Sequence, residues 1–260
     1  MQKRAEITRE ALLRAAATVF TGVGYADARL DTITTDAQVS KGALYDHFGS
    51  KEALACAVIE SGSARFQIAC GPFLASRIPA VDALIGISCL LLDPAVNDPM
   101  VAATFRLLTQ IPDRPGSETT LLAAWLSDYR ELARRALTEG DLRDEDPDAV
   151  ALLLVETLAG VRLLAAATGH LDDLPVRLAT AWDLLLPGLV DPPKLDYFRG
   201  FVTRQVARVV DRGTAPHPSF SPYDQHRSNN WERPSPRARH GRAGASRRQP
   251  FSAPPVVDAQ

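Results

Sequence analysis

Val39-Ser40-Lys41-Gly42-Ala43-Leu44-Tyr45-Asp46-His47-Phe48-Gly49-Ser50-Lys51-Glu52-Ala53-Leu54 reads as a short helix, a tight break and the opening of a longer helix. Ser40 is a good N-cap, because its hydroxyl can accept a free N–H of the first turn. Lys41, Gly42, Tyr45 and His47 share the short helix, and Leu44 and Phe48, four apart, anchor its other face in a core. Gly49 ends it, Ser50 caps the next helix and Lys51-Glu52-Ala53-Leu54 opens that one. A capped, exposed helix start bearing Lys and Tyr suits a phosphate backbone and a major groove.

The flanking sequence supplies partners for this unit. Residues 4–22 form an amphipathic pattern, with Ile7, Ala11, Leu12, Ala15, Val19 and Phe20 on one stripe, ended by Gly22 and Gly24. Leu30 to Ala37 predict a second helix, and Lys51 to about Cys70 a fourth, stopped by Gly71-Pro72. Beyond it the sequence predicts helices over 78–92, 99–111, 118–138, 147–168, 174–186 and 195–210, with Asp98 and Asp146 as caps. Convincing strands are lacking, so the expected class is all-α, with nine or ten helices.

In this order and spacing, Phe20, Gly24, Tyr25, Ile33, Ala37, Val39, Ser40, Lys41, Gly42, Leu44, Tyr45, His47, Phe48, Lys51, Glu52 and Leu54 resemble the helix-turn-helix of the TetR family of transcriptional repressors. The resemblance is close over about the first fifth of the chain and elsewhere extends only to layout. It implies a helix-turn-helix head over 1–50 and a helical ligand-binding and dimerisation body over 51–211, while the change of composition sets off a tail over 212–260. Within such a head the second helix of the motif enters the major groove. Lys41 and Lys51 would hold phosphates, Ser40 and Thr32 would add neutral hydrogen bonds, and Gly42 would let the backbone approach DNA closely. Tyr45 would lay its ring on sugar, and Ala43 would touch a thymine methyl. His47 is a further DNA candidate. For Tyr45 and His47 the competing reading is ordinary packing between helices. Two departures from the family pattern stand out. Gln38 replaces the turn glycine, at a cost of roughly 1 kcal/mol if φ is positive there. Thr34 replaces a small alanine and could crowd the two helices.

Charge is segregated along the chain. Residues 1–55 carry seven basic and seven acidic side chains, residues 56–211 carry 14 and 21, and residues 212–260 carry eight arginines and three acids. A neutral head is unusual for a DNA binder, since affinity rests largely on phosphate neutralisation. Sorting would help: Lys3, Arg4, Lys41 and Lys51 on one face, with Asp27, Asp31 and Asp36 behind. The tail is rich in Pro, Ser and Arg, and disorder is expected there. No apolar run is expected to cross a membrane, the longest, 149–159, being broken by Glu156. The charged first residues do not read as a signal peptide. Cys56, Cys70 and Cys89 have no metal-type spacing and fit a reducing cytoplasm.

Within the TetR family the body is most similar to γ-butyrolactone autoregulator receptors, through the Trp125 helix running to Tyr129-Arg130-Glu131 and through Gly160-Val161-Arg162. That resemblance implies a small-molecule pocket at Trp125, with Phe105, Leu108, Tyr129 and Val161 as further lining and Trp182 as a weaker candidate. Val161 and Gly62 stand where such receptors can offer hydrogen-bonding side chains. The competing reading for Trp125, Phe105, Leu108, Tyr129 and Trp182 is core packing. It further implies a homodimer built on 149–168 and 174–186, reading a palindromic operator.

Constellations for catalysis or metal binding are not found: no Gly-rich phosphate loop, no Gly-x-Ser-x-Gly elbow, no His/Cys cluster with ligand spacing. The acidic run Asp144–Asp148 and the group His170, Asp172, Asp173 read as helix caps. The expectation is a cytoplasmic, homodimeric repressor without cofactor, released from double-stranded DNA by a small-molecule effector. The alternative is a helical interaction protein whose head has lost strong DNA binding.

Overall fold

The computed structural model describes residues 2–75, 77–94, 96–111 and 121–214. Ten α-helices follow one another there: α1 (Gln2–Asp27), α2 (Leu30–Asp36), α3 (Lys41–Phe48), α4 (Lys51–Leu74), α5 (Ala80–Cys89), α6 (Pro99–Leu107), α7 (Leu121–Thr138), α8 (Pro147–Ala167), α9 (Leu174–Leu189) and α10 (Leu195–Thr214). Among the described residues the one extended pairing is an isolated bridge between Leu142 and Val190. The all-α expectation therefore holds. The expected tail after 214, the loop 112–116 and the helix start at 118 lie outside the described residues.

The predicted caps form as hydrogen bonds. Ser40 Oγ accepts from Ala43 N at 3.1 Å and Ser50 Oγ from Ala53 N at 3.0 Å. Asp98 accepts from Met100 N and Val101 N, and Asp146 from Asp148 N. Gly49 closes α3 at φ 71°. His170, Asp172 and Asp173 depart from expectation, since none caps a helix with its side chain. A short 3-10 turn over 171–173 runs directly into α9 there.

Four helices run past their expected stops, α9 to Leu189 through Pro187 and α10 to Thr214 among them. α1 continues to Asp27 through a kink at Gly24, whose φ of 81° and ψ of 179° leave the helical region at a residue that tolerates it. α4 passes Gly71 and Pro72 to Leu74. The reason is long-range: the Phe73 ring lies against α5 where a side chain at Gly86 would come within 2.2 Å of it. That tertiary contact outweighs the helix-breaking tendency of proline.

Two apolar cores form along α4 and α6. The first joins Leu12, Ala16 and Phe20 of α1 to Ile33, Leu44, Leu54 and Val58, and recruits Met100, Ala103 and Leu107 from α6. The second fills the body with Phe66, Leu84, Trp125, Tyr129, Leu158 and Trp182 among others. α4 contributes its first half to one core and its second half to the other.

α8 by length and composition is apolar enough to cross a bilayer, contrary to the sequence expectation. Glu156 interrupts the run without lowering its mean hydropathy below that level. One side of α8, with Val150, Leu154 and Leu158, is fully buried in the body core. Its other side exposes Leu152, Leu153, Leu163 and Leu164, and α9 exposes Val176 and Leu184.

Candidate functional site

α3 packs through Leu44, which is fully buried, and leaves Lys41, Gly42 and Tyr45 exposed, with Ser40 exposed at its start. Ala43 and His47 are half-buried, His47 with its ring 6.2 Å from Phe48. Thr32 is exposed on α2. These six residues of the motif and Thr32 thus lie on or beside the outer face of the helix-turn-helix. A Cβ at Gly42 would meet only Ser40 Oγ, at 3.8 Å, so internal packing does not explain a glycine there.

The expected sorting of charge fails at one pair. Lys41 Nζ lies 2.8 Å from Asp31 Oδ1, across the motif from α3 to α2. Hydrogen bonding and proximity to Lys41 hold the Asp31 carboxyl below its usual range, and Asp31 raises Lys41 in return. Lys51 is also engaged, donating to the Ala26 carbonyl at 3.1 Å and sitting 4.8 Å over the Tyr25 ring. Both lysines expected to meet phosphate therefore have partners within the head.

Gln38 has φ 56°, so the turn does demand left-handed backbone from a non-glycine residue. The turn is nonetheless bonded, Gln38 N to Thr35 O and Val39 N to Thr34 O, both at 3.0 Å. Thr34 is buried, and its hydroxyl donates to Asp31 O within the same helix.

In the body, Phe66, Phe105 and Trp125 meet edge to face, with centroids 5.7 to 6.3 Å apart, and Tyr129 continues the chain 5.7 Å from Trp125. Trp125 and Tyr129 are fully buried, while Phe105, Leu108 and Val161 are half-buried. Tyr129 donates to Leu84 O at 3.1 Å, and burial raises its hydroxyl pKa well above the usual value. The Trp125 N–H lies beside that hydroxyl and offsets part of the rise, without reaching full hydrogen-bond geometry. Trp182 stands apart as a core residue, its N–H donating to Ser88 Oγ at 2.8 Å.

One functional candidate escaped the sequence reading. Arg162, adjacent to Val161, is buried, and its guanidinium lies 4.5 Å from the Phe105 centroid. Burial lowers its pKa to about 10. The sequence signal was its place next to a lining candidate, in the middle of an apolar helix. Gly62 in turn does not face this cluster. A Cβ there would lie 2.1 Å from Thr104 Oγ1 and 2.7 Å from the Met100 carbonyl oxygen, so glycine is what lets α4 and α6 touch. Among the described residues no group of His, Cys, Asp and Glu could hold a metal ion.

The model of bacterial regulatory proteins of the TetR family matches residues 12–58, the span that carries the first core and the helix-turn-helix. The structure of the TetR family protein CprB from Streptomyces coelicolor A3(2) is 30% identical, superposes with a TM-score of 0.67, and covers 78% of this chain and 98% of that one. The chain belongs to the TetR family of transcriptional regulators. It is a γ-butyrolactone-receptor-like member of that family and not an enzyme. A crystal structure of a γ-butyrolactone receptor (ArpA-like protein) is 29% identical at a TM-score of 0.67, covering 79% of this chain and 99% of that one. The A-factor receptor protein of Streptomyces griseus is 28% identical over 202 residues, which is 74% of this chain and 67% of that protein. CprB has also been solved in complex with its biological operator sequence.

Proposed function

We propose that this TetR-family regulator is a ligand-released repressor. Its head, residues 1–50, reads a palindromic operator through α3, with Ser40, Lys41, Gly42, Ala43, Tyr45 and His47, supported by Thr32 and Lys51. Its body, 51–211, takes a small apolar signal of the γ-butyrolactone or antibiotic-like class beside Trp125, Phe105, Leu108, Tyr129 and Val161. The chain acts as a cytoplasmic homodimer, and residues 212–260 form a separate tail.

The observation that carries this reading is the double attachment of α6. At Phe105 it joins the aromatic cluster of the body, and at its C-terminal end it grips the kink of α1. Arg106 donates to the carbonyls of Thr21 and Gly22, and Gln110 Oε1 accepts from Tyr25 N at 2.6 Å. A ligand that moves Phe105 has a direct route to the head. The dimer reading draws support from the exposed leucines of α8 and from Val176 and Leu184 of α9, which a second copy would cover.

A gel shift on DNA upstream of the gene and its neighbours, with and without a solvent extract of the native host's culture, tests the reading. The expected result is a shift that weakens steeply with salt and is abolished by the extract. The engaged states of Lys41 and Lys51 favour one rival, a helical interaction protein with weakened DNA binding. Absence of any shift at low salt would establish that rival instead.

A further inference from the structure

Arg162 is 7% exposed, and no acidic side chain among the described residues forms an ion pair with it. Its Nη1 donates to the Leu91 carbonyl at 3.3 Å, and its Nε is buried without an acceptor. Asn97 Nδ2 donates to the same Leu91 carbonyl, while Asn97 Oδ1 is left without a partner. Phe105 stands between the guanidinium and Trp125, at 4.5 Å from the first and 6.3 Å centroid to centroid from the second. One buried donor without an acceptor, Arg162 Nε, therefore lies in a guanidinium stacked on a half-buried ring that also meets Trp125, whose own N–H faces the Tyr129 hydroxyl without a full hydrogen bond.

Buried guanidinium groups are ordinarily paired, because a lone charge in a low-dielectric interior is costly. A cation–π contact and one long hydrogen bond leave this guanidinium incompletely answered, its Nε buried without an acceptor. The guanidinium fork matches a carboxylate, which can accept two parallel bonds. A neutral lactone carbonyl would answer one donor and leave the charge uncompensated. Resting on the reading of Trp125 as an effector-site residue, we propose that the effector is an amphiphile whose carboxylate, or an equivalent anionic group, is taken by Arg162 while its apolar part lies on Phe105 and Trp125. Burial, which alone depresses the Arg162 pKa to about 10, still leaves it fully protonated at neutral pH, as anion binding requires.

Decanoate, methyl decanoate and γ-decalactone present one apolar chain with an anionic head, its neutral ester and a neutral lactone. Calorimetric titration of the full chain with each, at neutral pH, tests the proposal. Decanoate is expected to bind about tenfold or more tightly than the other two, a preference that Arg162→Gln removes and Arg162→Lys reduces. Trp125→Ala is expected to weaken all three. If the ester or lactone binds as tightly as decanoate and Trp125→Ala weakens it, the anionic class is overturned while the effector-site reading stands. If none of the three binds, both fail. A decanoate preference that survives Arg162→Gln overturns the role of Arg162. Ligand-free stability gives a second readout: Arg162→Met is expected to melt at or above the wild-type temperature, because it removes an uncompensated buried charge. Melting several degrees lower would make Arg162 a structural residue and overturn the proposal.

Discussion

Phe105 and Arg106 are consecutive on α6 and serve different cores: the Phe105 ring lies 4.5 Å under the Arg162 guanidinium in the body, while Arg106 donates to the Thr21 and Gly22 carbonyls at the end of α1. One turn of helix thus joins the aromatic cluster to the head. α6 is also pressed onto α4, where Thr104 donates to Val58 O at 3.3 Å. A rigid helix fixed at three places transmits displacement better than a loop does, because packed contacts have discrete arrangements.

Gly62→Ala tests the closeness of α4 and α6. The added methyl would fall 2.7 Å from a backbone oxygen, which cannot rotate away. Overpacking of this kind costs about 1–3 kcal/mol. Urea denaturation is expected to show a loss of that size, and an unchanged midpoint would mean that the helices separate freely.

Asp31→Asn is expected to strengthen DNA binding. It releases Lys41 from its carboxylate partner at 2.8 Å and takes one negative charge from a head of zero net charge. The slope of log affinity against log salt should steepen by about one counterion. Asp36→Asn makes the same change of charge without touching that pair. Equal effects at both positions would show that Lys41 contributes nothing beyond net charge.

The helix-turn-helix was legible because its signals are local. Ser40, Gly49, Ser50 and Asp98 act within four residues of themselves, and each forms the cap that its type implies. The positive φ at Gln38 was legible in the same way, from a turn that usually takes glycine. What escaped depends on distant partners. Pro72 reads as a stop unless one knows that Phe73 meets Gly86, and Lys41 reads as free until α2 places Asp31 beside it. Arg162 reads as one cation on an apolar helix, and only folding puts Phe105 beneath it. Gly62 looked like a lost pocket group because sequence spacing does not reveal which side of α4 meets α6.

Gln38→Gly is expected to stabilise the head by about 0.5–1 kcal/mol. Relief of the left-handed strain at φ 56° exceeds the extra chain entropy of glycine in the unfolded state. Thermal melting that shows no gain would place the strain elsewhere in the turn.

Cys70 and Cys89 predict an alkaline limit. Burial pushes both thiols from 9.0 up to about 12. Above pH 9 the unfolded chain loses these protons while the folded chain keeps them, so stability is intact below that pH and declines as pH rises toward 12. The slope approaches about 1.4 kcal/mol per pH unit for each thiol. Cys70→Ala combined with Cys89→Ala should flatten the decline between pH 9 and 11, measured by denaturant melts. In the native protein both thiols should resist alkylation that proceeds readily in urea.

Arg106→Ala should separate sensing from release. The side chain makes charge-assisted hydrogen bonds to two carbonyls beside the kink at Gly24, and a Cβ at Gly24 would already lie 3.0 Å from Gln110 Oε1. Without Arg106, α6 keeps Phe105 in the aromatic cluster but loses its grip on the Thr21 and Gly22 carbonyls, leaving Gln110 on Tyr25 N, the Thr21 hydroxyl on Pro99 O and the shared apolar core to hold α1. Binding of an effector to the body should change by less than about twofold, because Arg106 takes no part in that cluster. The effector concentration that releases operator DNA should rise about tenfold, the loss of some 1.4 kcal/mol of coupling. Calorimetry for the first quantity and a release titration for the second keep the two apart. Parallel changes in both would mean that Arg106 supports the effector site itself. A release curve that does not move would mean that the signal reaches the head through α4 without the grip of α6 on α1.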